Sequence, residues 1–271
     1  MALSGAEEIE QLGAGIARAG VSLQLRGVEK VFDGGVRALA PVDLQINSGE
    51  FVSVLGPSGC GKSTLLRIVA RLEKPSRGEV ITGDAVGKQA SSPRAAFVFQ
   101  DAHLLPWRRV LKNVALPLEL LGVSKQHAYQ RARQALAQVG LADAVDRYPA
   151  QLSGGMRMRA SLARALVTEP ELLLLDEPFA ALDEITRQKL DEQLRELWAS
   201  RRITVIFVTH SIAEAAYLSE RAIVMSKRPG RVVLDHRVQL PEHRPARLRG
   251  EAAFAGEMRV LLEALERGEA L

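Results

Sequence analysis

The sequence predicts an α/β protein built on a mainly parallel sheet. Three observations lead there: nearly continuous apolar runs, helix-period segments between them, and a glycine-rich loop joining one run to a helix. The runs are FVSVLG at 51–56, AAFVFQ at 95–100, LLLLDE at 172–177 and TVIFVTH at 204–210. Such runs suit strands buried on both faces of a parallel sheet. Leu65, Leu66, Ile68, Val69 and Leu72 share one helix face after the loop, as Leu190, Leu194, Leu197 and Trp198 do later. Alternating strands and helices place ligands at the carboxyl ends of the strands.

Ahead of this core, Val21, Leu23 and Leu25, then Val42, Leu44 and Ile46, alternate with polar residues. That is the pattern of half-buried strands in an N-terminal antiparallel sheet. Residues from about 101 to 170 read as mostly helical and interrupt the strand order, so a helical subdomain is expected to be inserted there. Residues 1 to about 20 are rich in Gly and Ala and read as a loosely ordered extension. The main domain then runs over 21–240. Residues 241–250 (PEHRPARLRG) form a Pro/Arg-rich linker. A C-terminal amphipathic helix follows within 251–271, carrying Phe254, Met258, Leu261, Leu262 and Leu265.

Composition narrows the function. The chain has 271 residues, 47% of them hydrophobic and 25% charged, enough for a sizeable globular core. Its net charge of +4 is too slight and too scattered to point to nucleic acid. Its one cysteine, Cys60, excludes an intrachain disulfide and fits a reducing compartment. The N-terminus carries glutamates where a secretion signal needs basic and then apolar residues. No stretch reaches the ~18 uninterrupted apolar residues of a spanning helix. The expectation is a chain soluble by itself, which another chain would have to bring to a membrane.

The loop Gly56-Pro57-Ser58-Gly59-Cys60-Gly61-Lys62-Ser63, followed by Thr64, matches G-x-x-x-x-G-K-[ST] between a strand and a helix. Small residues let its backbone N–H groups turn inward around phosphate oxygens, and the helix start adds positive potential. Lys62 supplies a charge for the β- and γ-phosphates of ATP, and Ser63 a hydroxyl for Mg²⁺. Cys60 reads either as a small residue tolerated in the loop or as a reactive thiol whose pKa falls at a helix start. The run LLLLDE ends in two carboxylates at the same sheet edge. Asp176 is placed for the Mg²⁺ shell and Glu177 to orient and deprotonate the attacking water. His210, at another strand end, reads alone either as a local hydrogen-bonding residue or as a group reaching a γ-phosphate, and the other motifs favour the second. Gln100, ending the AAFVFQ run, can reach both metal and water.

The segment Leu152-Ser153-Gly154-Gly155-Met156 resembles the signature motif of ABC transporter ATPases. The order of motifs agrees over nearly the whole chain: the loop at 56–64, Gln100, 152–156, Asp176-Glu177, Ala180-Ala181-Leu182-Asp183 and His210. The resemblance implies a P-loop NTPase core and an aromatic, Phe32, stacked on adenine. It implies a head-to-tail dimer in which Ser153, Gly154 and Gly155 at a helix start complete the ATP site of a second copy. Asp183 would lie in the segment crossing that interface. Within the family, Phe99-Gln100-Asp101-Ala102-His103-Leu104-Leu105-Pro106-Trp107-Arg108 resembles the nitrate/sulfonate/taurine importer group. Tyr148-Pro149-Ala150-Gln151, Asp176-Glu177-Pro178-Phe179 and Ser226-Lys227-Arg228-Pro229-Gly230-Arg231 agree with that group. The implied partners are a second ATPase subunit, a membrane permease and, indirectly, a solute-binding protein. The implied place is the cytoplasmic face of the inner membrane.

Leu104, Leu105 and Trp107 read either as a core cluster or as an exposed socket for a permease helix. Several positions depart from the family pattern: Arg71 for a common Gly, Met156 and Met158 for Gln, Ala180 for Gly or Ser, and Ser211 for Asp. An ATPase of another importer class, a non-transport ABC ATPase and a non-catalytic regulatory subunit remain alternatives at this level. Glu177 and His210 weigh against the last.

Overall fold

The computed structural model describes residues 20–83 and 93–271. The expected N-terminal extension lies outside these residues, except for Gly20. The described residues fall into two compact units, 101–170 and the rest of the chain.

The larger unit holds two sheets. Strands β1 (Ser22–Val31), β2 (Arg37–Ile46) and β4 (Arg77–Gly83) form an antiparallel sheet with β1 in the centre. A six-stranded sheet has the order β5-β6-β7-β3-β8-β9. Its members are β3 (Phe51–Leu55), β5 (Ala95–Val98), β6 (Leu172–Asp176), β7 (Thr204–Val208), β8 (Arg221–Met225) and β9 (Val232–Arg237). The first five of that order are parallel, and β9 closes the edge antiparallel to β8. Every residue of β3, β6 and β7 is buried, as uninterrupted apolar runs require.

Helix α1 (Lys62–Val69) follows β3 directly. Its buried Leu65, Leu66, Ile68 and Val69 join Leu25, Leu44 and Ile46 of the antiparallel sheet with Val54, Ile206 and Val208 of the parallel one in a shared core. The helix that carries the phosphate-loop lysine is therefore held between the two sheets. Later helices of this unit are α5 (Glu184–Arg201), α6 (Ile212–Leu218) and α7 (Ala252–Ala270). Trp198 of α5 is fully buried, meets Phe51 edge-on at 6.0 Å and donates its indole N–H to the Gly49 carbonyl at 3.0 Å.

The smaller unit is helical: α2 (Val110–Leu120), α3 (Lys125–Gln138) and α4 (Gly154–Leu166), with short 3-10 turns at Ala142–Ala144 and Pro149–Gln151. None of the helices among the described residues is long and apolar enough to cross a membrane.

Three expectations need correction. AAFVFQ is not buried on both faces: β5 is the edge strand, so Ala95 is exposed, Ala96 and Phe97 are half-buried, and only Val98 is closed off. Leu72 does not belong to the face of α1. The helix ends at Val69, Arg71 adopts a left-handed φ of 59°, and Leu72 is 61% exposed. On α7 the buried stripe is Phe254, Glu257, Leu261, Ala264 and Gly268, while Leu262 is exposed. Glu257 is tolerated there because His236 of β9 lies 2.7 Å from its carboxylate. The Pro/Arg-rich linker is also stitched down. Buried Arg244 donates to the carbonyls of Ala216, Tyr217 and Ser219 at 2.7–2.9 Å, closing the C-terminus of α6.

Truncating Trp198 removes a fully buried ring and leaves the Gly49 carbonyl unpartnered. Trp198→Ala is expected to cost about 3–5 kcal/mol of stability, measurable as a lowered urea midpoint.

Candidate active site

Because β5, β6, β7 and β3 lie side by side and run parallel, their carboxyl ends converge on one edge of the sheet. Gln100, Asp176-Glu177, Thr209-His210 and the loop from Gly56 are delivered there by strand geometry alone. Phe32, Val36, Ala38, Ser58, Gly59, Gly61, Lys62, Ser63, Thr64, Gln100, Glu177 and Arg228 line a single cleft of about 370 Å³.

The loop is held open by backbone conformation. Gly61 has φ of 107°, and a Cβ there would stand 2.7 Å from the Leu39 side chain and 2.9 Å from the Ala38 carbonyl, so only glycine fits. Gly61 is also the N-cap of α1, with no side-chain cap and no acidic residue in the first turn. The first amides of the helix therefore face an anion site without a carboxylate competing for them. Lys62 is only 4% exposed. Its ammonium donates to the carbonyls of Gly56 at 2.7 Å and Pro57 at 2.9 Å, and lies 3.9 Å from Glu177 Oε1.

Ser63 Oγ donates to Asp176 Oδ1 at 2.8 Å. Burial pushes the Asp176 carboxyl above the usual range; the Ser63 bond pulls the other way, and the Glu177 charge adds to the rise. Glu177 follows the strand with a left-handed φ of 47° and donates its N–H to the Val208 carbonyl at 3.0 Å. This turn aims its side chain back across the edge, where Oε2 sits 3.2 Å from His210 Nδ1. Phe32 is 40% exposed at the cleft wall, with the Lys30 ammonium 5.0 Å from its ring centre.

Cys60 does not bear out the reactive-thiol alternative. It is 1% exposed, and burial pushes its thiol up despite the neighbouring Lys62 charge. Asp183 caps α5 by accepting from Thr186 N at 3.0 Å, and this bond holds its carboxyl below the usual range. In the helical unit Ser153 caps α4 by accepting from Met156 N at 3.3 Å. Ser153 and Gly154 are exposed there, while Gly155 is buried. Trp107 is 72% exposed, which excludes the core-cluster reading for it, while Leu104 and Leu105 are half-buried. Fully buried Asn113 shapes this turn, accepting from Leu105 N and donating to the carbonyls of Leu105, Arg108 and Arg109. Trp107, Arg108, Arg109, Lys112, Lys125, Tyr129 and Tyr148 line a cavity of about 510 Å³ in the same unit, together with Val123 and with Glu119, which pairs with Arg108 at 2.6 Å.

Sequence reasoning missed the role of Asn113 and the contact of Arg228, which donates through Nε to the Gly59 carbonyl at 3.1 Å. The Ser226–Arg231 motif was visible, but nothing local said that it rests on the phosphate loop. Gly230 packs so closely that an added Cβ would fall 2.1 Å from the Cys60 carbonyl oxygen.

With this geometry in hand, a family model described as ABC transporter matches residues 39–180. The chain belongs to the ABC transporter family. It is an ATP-binding subunit of that family, an ATPase with a P-loop core. An aliphatic sulfonates import ATP-binding protein of Mycobacterium sp. (strain MCS) is 48% identical over 89% of this chain and 92% of its own length. An uncharacterised ABC transporter ATP-binding protein of Methanocaldococcus jannaschii is 46% identical over 78% of this chain and 80% of its own. A solved dimeric ATP-binding cassette in a post-hydrolysis state, bound to ADP and phosphate, is 35% identical. It aligns with a TM-score of 0.71 over 81% of this chain and the whole of its own.

The residues present fit a Mg²⁺ ion. Ser63 Oγ and Asp176 Oδ1 already sit together beside the cleft, and the carboxylate is buried, so that a cation beside it would offset its lost hydration. Among the described residues no cluster of three or more His, Cys, Asp or Glu could hold a metal alone. Few protein ligands plus phosphate and water is the usual coordination of this ion in nucleotide sites.

A buried acid whose pKa is raised gives a stability term that is present at low pH and lost as pH rises through that pKa. Asp176→Asn is therefore expected to raise the nucleotide-free melting temperature at neutral pH, by roughly 1 kcal/mol of stability. The gain should shrink on acidification, while Mg²⁺-dependent turnover is lost.

Proposed function

We propose that this chain powers uptake of a small anionic solute of the sulfonate, taurine or nitrate type through a separate permease at the cytoplasmic face of the membrane. The observation that carries the hydrolytic reading is the run of contacts along one sheet edge: Ser63 to Asp176, Lys62 to Glu177, Glu177 to His210. Identity of 48% with an aliphatic sulfonates import ATP-binding protein supports the choice of solute class.

In this reading Phe32 stacks on adenine and the backbone of Gly56–Thr64 cradles the phosphates. Lys62 turns from the carbonyls of Gly56 and Pro57 to the β- and γ-phosphate oxygens. Glu177 orients a water for attack on the γ-phosphorus and takes its proton, while His210 holds Glu177 in place and faces the γ-phosphate. Ser63, Asp176 and Gln100 would hold Mg²⁺, which, when bound, neutralises phosphate charge.

Two copies bind head to tail, and Ser153, Gly154 and Gly155 of each bring the start of α4 to the other's ATP, with Asp183 at the seam. The dimeric state of the solved cassette supports this arrangement. Closure on ATP and reopening after hydrolysis then shift the population of a two-state dimer. The exposed Trp107, presented by the Asn113-braced turn between Leu104, Leu105 and the basic cavity, is the docking point for the permease, whose solute-binding protein confers specificity.

Glu177→Gln removes the base but keeps the shape. Turnover is expected to fall at least about a hundredfold while an ATP-bound dimer accumulates on size exclusion. Unchanged turnover would sink the assignment. Trp107→Ala is expected to leave ATPase activity of the isolated subunit intact and to weaken its recovery with the permease roughly tenfold, read by pull-down from membranes.

A further inference from the structure

We infer that buried Glu214 and half-buried Arg187 form a clamp that fixes His210 relative to Asp183, making both positioning residues for hydrolysis. The inference rests on the roles proposed above for His210 and Asp183.

Glu214 lies on α6 and is 4% exposed. One of its carboxylate oxygens accepts from the hydroxyl of Thr209, the residue before His210. The other is 3.7 Å from Arg187 Nε on α5. Arg187 in turn donates to the carbonyl of Leu182, the residue before Asp183, at 2.8 Å. Thr209 Oγ1 also accepts from Ser211 N at 2.9 Å, so the hydroxyl is locked as donor and acceptor together. The remaining guanidinium nitrogen of Arg187 reaches Glu184 at 3.3 Å. Two loops far apart in sequence, one carrying His210 and one carrying Asp183, are thus joined through a single carboxylate and a single guanidinium.

Stability does not explain this arrangement. Taking the Glu214 carboxylate and most of the Arg187 side chain out of water costs about as much as their attraction returns, and apolar residues of similar size serve a core equally well. Burial pushes the Glu214 carboxyl up, and the Thr209 hydrogen bond and the Arg187 charge pull the other way. What these contacts supply is register: a hydrogen bond at each end, Thr209 to Glu214 and Arg187 to Leu182, joined by an ion pair at 3.7 Å. A shift of Asp183 pulls Leu182, Arg187, Glu214 and Thr209 in turn, and so moves His210 against Glu177. If Asp183 senses the second copy, the clamp carries dimer closure to the base.

The test is steady-state hydrolysis with a separate measurement of ATP affinity, on the full chain. Glu214→Ala is expected to lower kcat roughly tenfold and to leave ATP affinity within about twofold, because the phosphate loop is untouched. Arg187→Ala should behave alike, and the double variant should lose little more than either single one. Unaltered kcat, or kcat and ATP affinity falling together as in general unfolding, overturns the clamp. Should Glu214→Ala fail to fold, Thr209→Val against Thr209→Ser decides the matter. Val is expected to lose turnover, and Ser, which keeps the hydroxyl, to recover about half or more of it; equal activities overturn the proposal. Glu177→Gln run in parallel separates the two claims. Full activity there defeats the site assignment itself, whereas its collapse beside a normal Glu214→Ala defeats the clamp alone.

Discussion

The organisation of this protein depends on one buried charge. The Lys62 ammonium is withdrawn from water and held by two backbone carbonyls rather than by a close carboxylate. Carbonyl dipoles only partly replace hydration, so an ammonium in this position favours a polyanion beside it. The helix that carries it cannot move to relieve the charge, since its apolar face is clasped by both sheets. The loop cannot close over it, because Gly61 already touches Leu39 and Ala38. The two acidic residues at this edge are kept at the margin, Glu177 at 3.9 Å and Asp176 occupied by Ser63. A nearer carboxylate would pair with the lysine and cancel its attraction for phosphate.

Much of the site was legible in the sequence because its parts are contiguous or sit at strand ends. Gly56 to Ser63 carries its spacing within a few residues. Asp176, Glu177 and His210 each follow an apolar run whose direction is set by the parallel sheet. What was not legible depends on partners distant in sequence. The edge position of β5, which exposes Ala95, follows from strand order and not from AAFVFQ itself. Strands β8 and β9 do not stand out in the sequence, because RAIVM opens on a charge and VVLDHR is half polar. The stripe of α7 was assigned to the larger apolar residues, yet the helix turns Glu257 inward because His236 waits there. Nor does any local pattern mark Asn113, whose four hydrogen bonds shape the turn ahead of its own helix.

The departures from the family pattern mostly have local physical reasons. Met158 is 5% exposed, so a thioether suits its packed surroundings where an amide would need partners. Ser211 accepts from Glu214 N at 3.3 Å and thereby caps α6, a task that Asp performs by the same bond. Arg71 occupies a left-handed conformation that favours glycine, with its guanidinium reaching toward Thr82 at 3.5 Å. Nothing in the structure explains Ala180.

The loop Ser226–Arg231 lies on the phosphate loop through Gly230 and Arg228, and is tied to β2 by Gly230 N to Ala38 O at 3.0 Å. Lys227 N also donates to the carbonyl of Gly268 in the last turn of α7, at 3.0 Å. A Cβ on Gly268 would meet the Met225 carbonyl at 3.1 Å, so this helix end packs tightly against the end of β8. The C-terminal helix is thus a keystone and not an appendage. Residues with no titratable or nucleophilic side chain thereby set the height of the loop from Gly56 to Ser63 above the sheet edge.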